Sequence, residues 1–188
     1  MRFYDALGLA PKLSLDAEDL KKRFYGQSRE WHPDRFSRRS PEEQKKALDM
    51  TAVLNDAFRT LRDPVARAEY FLEEKGLGPS KNPPAEMLEE VFELNMALEE
   101  LRSGDESARP QLVEAHERFL KMRDEIDAGL AESFAEYDAS DEAVSKIDAQ
   151  GGYAPVQILP KIRSALDRRR YISNLLRDVE KELPAAVL

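Results

Sequence analysis

The chain has 188 residues, 41% hydrophobic and 35% charged, with only 8 glycines and a formal net charge of −8. That is enough apolar material for one large or two small domains; the glycine-poor, charge-rich balance favours long solvated helices, and the acidic sum argues against a general nucleic-acid binder. There is no cysteine, which excludes disulfides, thiolate catalysis and any cysteine-ligated metal or iron–sulfur cluster held by this chain alone.

The N-terminus, Met1-Arg2-Phe3-Tyr4-Asp5, has no apolar signal region, and no apolar run approaches membrane-spanning length. A cytoplasmic protein without a membrane partner is expected. No segment alternates with period two over strand length, so the whole chain reads as helices. The first is short, around Phe3 to Leu9. The second starts after Asp16 as N-cap. Its Leu20, Phe24 and Trp31 share one face, and Lys22, Tyr25 and Arg29 share the opposite one.

His32-Pro33-Asp34 comes directly after this helix. Pro33 has no N–H and disfavours helical geometry at the residue before it, so the second helix must stop here. His32 is one of only two histidines. It stands with Asp34 on a connector, where conspicuous side chains more often contact partners than fill cores. The alternative is that His32 caps the second helix through its last carbonyls.

The third helix begins at Ser40-Pro41, with Pro41 at its first position and Glu42 and Glu43 in its first turn. Its stripe is Ala47, Met50, Leu54, Ala57, Phe58 and Leu61. Asp63-Pro64 caps a fourth helix that carries Ala68, Phe71 and Leu72 and ends at Gly76. Asn55 and Arg67 have a structural reading, bonding helix ends to the loop. The glycine- and proline-rich stretch over 77–84 reads as a linker.

Three longer helical patterns come next: about Pro84 to Arg102, about Pro110 to Tyr137 and about Pro155 to Glu182, with Gly151-Gly152 breaking the last pair. Short connectors make them an antiparallel bundle. Charge is unevenly placed. Residues 21–46 carry nine Lys and Arg, and residues 86–106 carry eight acids against Arg102 alone. Two partners of different character are one reading and two solvated faces the other.

In the acidic helix Met87, Val91, Leu94, Leu98 and Leu101 form a bundle seam. Leu88, Phe92 and Met96 form a second ridge, rotated ~100° from the first. Glu89, Glu93 and Glu100 flank it. On the last helix Ile158, Leu159, Ile162, Leu166, Ile172, Leu176 and Val179 build a seam, with Tyr171 and Leu175 to one side. An apolar ridge rimmed with acids suits a partner; cover by a broad core or by the N-terminal half is the alternative. His116 falls with Leu112, Phe119 and Ile126 on a stripe and reads as a core histidine. With no second histidine and no spaced carboxylate partner beside it, no metal site and no cofactor is expected. Arg168-Arg169-Arg170 reads as solvated charge.

Taken together, Tyr4-x-x-Leu7-Gly8-Leu9, the basic helix, His32-Pro33-Asp34 and Leu54-Asn55-x-Ala57-Phe58-x-x-Leu61-x-Asp63-Pro64-x-x-Arg67-Ala68-x-Tyr70 resemble a J-domain. The Arg67-Ala68-Glu69-Tyr70 stretch, the proline-rich linker, the acidic helix and the C-terminal bundle extend the resemblance to the HscB-type co-chaperones of iron–sulfur cluster assembly. This resemblance implies an all-α fold: a J-domain over 1–76, a linker over 77–84 and a three-helix bundle over 85–188.

The resemblance also implies a DnaK/HscA-type ATPase chaperone as partner, met by His32, Pro33 and Asp34, with Lys21, Lys22 and Arg29 as steering charges. It implies an IscU-type iron–sulfur cluster scaffold as second partner. Leu88, Phe92, Glu93, Glu100 and Tyr171 match the scaffold-binding positions, with Met96 completing the apolar ridge. Glu89 stands where an apolar residue is expected and Met96 where an acid is. No cysteine-rich N-terminal extension of the kind some relatives carry is expected. A general J-domain co-chaperone serving other clients is the alternative. An enzyme finds no support: there is no phosphate loop, no cysteine and no histidine pair.

Overall fold

The computed structural model describes residues 2–82, 84–147 and 155–183. Every regular element among them is helical, and none is long and apolar enough to cross a membrane. The chain divides into two compact units: Met1–Leu77 with Tyr137–Asp148, and Gly78–Glu136 with Ala149–Leu188.

The first unit holds α1 (Phe3–Ala6), α2 (Ala17–Glu30), α3 (Pro33–Phe36), α4 (Pro41–Arg62) and α5 (Pro64–Glu74). Their starts are written in side chains. The Asp16 carboxylate accepts the Asp19 N–H at 2.6 Å. Ser40 and Glu43 form a reciprocal capping box at 3.3 and 3.0 Å, and Asp63 accepts the Ala66 N–H at 2.7 Å. Each bond satisfies a helix-end donor that has no partner within the helix. The first helix stops at Ala6, not at the expected Leu9. Gly8 takes a left-handed φ of 63°, and the chain turns back so that the Leu9 N–H reaches the Tyr4 carbonyl.

The other four helices pack on α4. Leu20, Ala47, Leu54, Ala57, Leu61, Ala68 and Leu72 are buried between them, which is the stripe expected from helical spacing. Phe24 stacks on Phe58 with centroids 4.3 Å apart, and the Thr51 hydroxyl donates to the Trp31 carbonyl at 3.2 Å. Residue 24 facing 58 and 31 facing 51 makes α2 and α4 antiparallel.

The connector between α1 and α2 is gripped by side chains. The Tyr4 hydroxyl donates to the Lys12 carbonyl at 2.8 Å. Arg67, buried, donates Nε to the Leu13 carbonyl at 2.7 Å and Nη1 to the Leu61 carbonyl at 2.6 Å. Arg67 thus ties this connector, not the His32 loop, to a helix end, while Asn55 is exposed. Burial pushes the Arg67 guanidinium below its ordinary value; the carboxylates of Asp138 and Asp63 oppose that. Burial also holds the Tyr4 hydroxyl well above its usual range, so it stays protonated and donates.

The second unit holds α6 (Leu88–Arg102), most of α7 (Arg109–Ile147) and α8 (Pro155–Glu182), with single 3₁₀ turns at Ala85–Met87 and Glu106–Ala108. Met87, Leu94, Leu98, Leu112, Phe119, Ile172, Leu176 and Val179 form its core. Leu175, expected off to one side, belongs to that core: it lies three residues beyond Ile172 and on the same face. His116 is buried as expected, its Nε2 3.3 Å from Glu180 Oε1. That pair and the Asp127–Arg169 bridge set α7 and α8 antiparallel. Arg102 with Glu182 and Glu86 with Arg168 set α6 parallel to α8.

Two further features bear on the expected boundaries. The stretch read as a linker is pinned: the Ser80 N–H donates to Asp167 at 3.2 Å and the Ser80 carbonyl accepts from Arg170 at 2.8 Å. The middle bundle helix runs on to Ile147, ten residues past the expected end. Leu130, Phe134 and Tyr137 keep its apolar stripe going at helical spacing, all buried. The expected bundle over 85–188 therefore differs from the compact unit, because Tyr137–Asp148 groups with the first one. Gly151-Gly152 lies outside the described residues.

Candidate functional site: an exposed loop and an exposed ridge

The loop after α2 is anchored by its backbone and open at its side chains. His32 adopts φ −61° and ψ 129°, the extended geometry that Pro33 demands. The loop is more than a plain turn: Pro33 opens the one-turn helix α3, its missing N–H costing nothing at that first position. Nor does His32 close α2. Its Nδ1 accepts the Asp34 N–H at 3.3 Å, making it the N-cap of α3. In the neutral ring that assignment leaves the proton on Nε2.

Beneath the loop, Trp31 and Phe36 stack with planes 2° apart, and Lys46 Nζ lies over the Trp31 ring at 5.7 Å. Arg35 donates to the Arg29 carbonyl, the Ser37 hydroxyl to the Asp34 carbonyl, and the Gln44 amide to the Arg39 carbonyl. Held this way, the loop still exposes 57% of the His32 side chain and 90% of Asp34. Lys21, Lys22 and Arg29 are exposed on the adjacent helix, with Tyr25 among them at 55%. Arg23 is engaged instead, bonded to Asp19 at 2.8 Å and to the Gly8 carbonyl. The structure therefore separates display cations from a structural one within a single basic run. Exposed Arg38 and Arg39 extend the positive surface past the loop.

In the second unit the ridge stands open. Leu88, Phe92 and Met96 are 55%, 66% and 48% exposed, with Glu89, Glu93 and Glu100 exposed beside them. Tyr171 differs: it is half-buried and packs against the core. Beside Glu93 a cavity of about 210 Å³ runs along α6 and α7, lined by Leu94, Ala97, Leu112 and Arg118. Among the described residues no cluster of His, Cys, Asp or Glu could hold a metal ion.

Sequence reasoning missed the contribution of α7 to the first unit. Asp138 accepts the Leu13 N–H at 3.0 Å and the Ser14 N–H at 2.6 Å, across a separation of 125 residues for Leu13. A carboxylate 125 residues away in sequence leaves no local signal.

An antiparallel α2–α4 pair with an exposed His-Pro-Asp loop defines a J-domain protein, and the DnaJ domain model matches residues 2–70. The similarity extends beyond that half. A co-chaperone protein HscB homolog from Shewanella loihica is 31% identical over 172 residues, covering 89% of this chain and 96% of that relative. One from Neisseria meningitidis is 30% identical over 141 residues, covering 73% and 84%. Among solved structures, chaperone HscB from Vibrio cholerae has a TM-score of 0.63 and 25% identity, with 96% of each chain covered. Human co-chaperone protein HscB has a TM-score of 0.66 at 21% identity, covering 97% of this chain and 82% of that one, and so shares the fold. The chain belongs to the HscB family of J-domain co-chaperones.

Proposed function

We propose that this co-chaperone brings an IscU-type iron–sulfur cluster scaffold to a DnaK/HscA-type ATPase chaperone and stimulates ATP hydrolysis there. The observation that carries the reading is selective exposure. Each unit buries its seam and leaves one chemically distinct surface open: a His32-Pro33-Asp34 loop beside Lys21, Lys22 and Arg29, and an acid-rimmed ridge of Leu88, Phe92 and Met96.

The basic helix steers an acidic chaperone surface and fixes its orientation, an effect on association more than on final affinity. His32 and Asp34 then act by binding one conformational state of the ATPase better than another, which shifts its equilibrium. The ridge gives the scaffold an apolar centre, Phe92 foremost, with Glu93 and Glu100 at the rim; Tyr171 supplies the edge nearest the core. Joining the two surfaces on one chain raises the scaffold's effective concentration at the chaperone. The chain itself contributes no catalytic group, and we place it in the cytoplasm with both partners.

The test is steady-state ATPase activity of the chaperone, with and without scaffold. Wild type is expected to stimulate hydrolysis, and scaffold to increase that stimulation. Replacing Leu88, Phe92 and Met96 by Ala is expected to remove the scaffold-dependent part alone. Stimulation that ignores both scaffold and this triple change would instead favour a general J-domain co-chaperone with other clients.

A further inference from the structure

The α1–α2 connector leads directly into the N-cap of the helix that carries Lys21, Lys22 and Arg29. Leu13 is fully buried there. Its N–H goes to Asp138 and its carbonyl to Arg67, while the preceding carbonyl takes the Tyr4 hydroxyl and the following N–H goes to the other Asp138 oxygen. Three residues in a row are thus held by side chains from α1, α5 and α7. Two of these lie inside the stretch that forms a J-domain by sequence; the third does not. A carboxylate that accepts two backbone N–H groups makes charge-assisted bonds, stronger and more directional than neutral ones. Tyr137 secures the neighbouring turn of α7, its ring edge-on to Phe71 at 5.5 Å, and Phe71 is in turn edge-on to Tyr4. Asp138 is consequently delivered to the connector by a packed aromatic row rather than by a free helix end.

We propose that Asp138 is a positioning residue for chaperone stimulation: by holding Leu13 and Ser14 it sets where α2 begins, and so where its basic face stands relative to the His32 loop. The end of α7 is on this view a working part of the J unit. The inference rests on the chaperone reading above, since it assigns α2 the docking role. Asp138 touches no partner and transfers no proton; it acts through the backbone it holds.

Two variants of the full chain test it. Asp138→Ala removes both acceptors, and Asp138→Asn keeps one oxygen in nearly the same shape. Amide hydrogen exchange at Leu13 and Ser14 is expected to speed up about tenfold or more in Asp138→Ala. The chaperone concentration giving half-maximal stimulation is expected to rise about threefold or more, with maximal stimulation retained, as for an orienting group lost from an intact docking loop. Asp138→Asn is expected to fall between the two in both readouts, and it keeps the test valid if Asp138→Ala unfolds. Faster exchange in both variants with an unchanged half-maximal concentration would overturn the positioning role and leave a purely structural staple. Wild-type stimulation surviving in a His32→Gln chain would sink the chaperone reading, and this inference with it.

Discussion

The helix α2 has a connector at each end, and the two are built to opposite plans. At its start, Lys12, Leu13 and Ser14 are clamped by side chains of Tyr4, Arg67 and Asp138. At its end, the chain from Trp31 to Ser40 is held through its carbonyls and by one aromatic stack, while the imidazole of His32 and the carboxylate of Asp34 remain in solvent. In the first, polar side chains satisfy a backbone that is buried at Leu13. In the second, anchors drawn from α3 and α4 leave the side chains of His32 and Asp34 open to solvent, His32 serving besides only as the N-cap of the short α3. A loop can be rigid without hiding what it carries.

The contrast is broken most severely at Arg67. Arg67→Met strands the carbonyls of Leu13 and Leu61, and the first unit is expected to lose about 3 kcal/mol, read from urea unfolding. At the displayed end the effect should appear in function alone. His32→Gln is expected to lower stimulation of the chaperone about tenfold or more while shifting stability by no more than about 0.5 kcal/mol. Equal losses in stability and stimulation would erase the distinction between the connectors. The ridge of the second unit is a displayed surface of the same kind: Phe92→Ala should weaken scaffold binding by about 2 kcal/mol, measured calorimetrically, with thermal stability unchanged.

Smaller effects come from the capping box. Ser40→Ala is expected to cost α4 about 1 kcal/mol. Glu43 should matter least and only above its titration. The Ser40 N–H and hydroxyl hold its carboxyl below the ordinary value, so the stabilisation is complete above the unfolded value of about 4.3 and disappears as pH falls through the lower folded one. The stability difference between wild type and Glu43→Gln should therefore close in acid.

Most of the first unit is legible in sequence because its signals are local. Asp16, Ser40-Pro41 and Asp63-Pro64 mark helix starts within one turn, and the Ala47 to Leu61 stripe comes from period alone. The display ridge is legible for the same reason: Leu88, Phe92 and Met96 recur at four residues, and Met87, Leu94 and Leu98 already account for the seam. Three things are not. Arg23 looks like its basic neighbours until Gly8 is seen to bring a carbonyl to it. Leu175 shares a side of α8 with Tyr171, and spacing alone does not divide that side between core and edge. Asp138 answers a need at Leu13 that only the folded chain creates. Tertiary hydrogen bonds between distant residues carry no period.

Trp31 is the chain's only tryptophan. It lies against Phe36 and beneath Lys46, one residue before His32. The molecule thus carries its own optical reporter at the loop, with a cation and a ring whose displacement alters emission. Engagement of the loop by another protein can be followed in unlabelled, unmodified chain, and a titration monitored there separates events at the loop from those at the ridge, which has no tryptophan of its own.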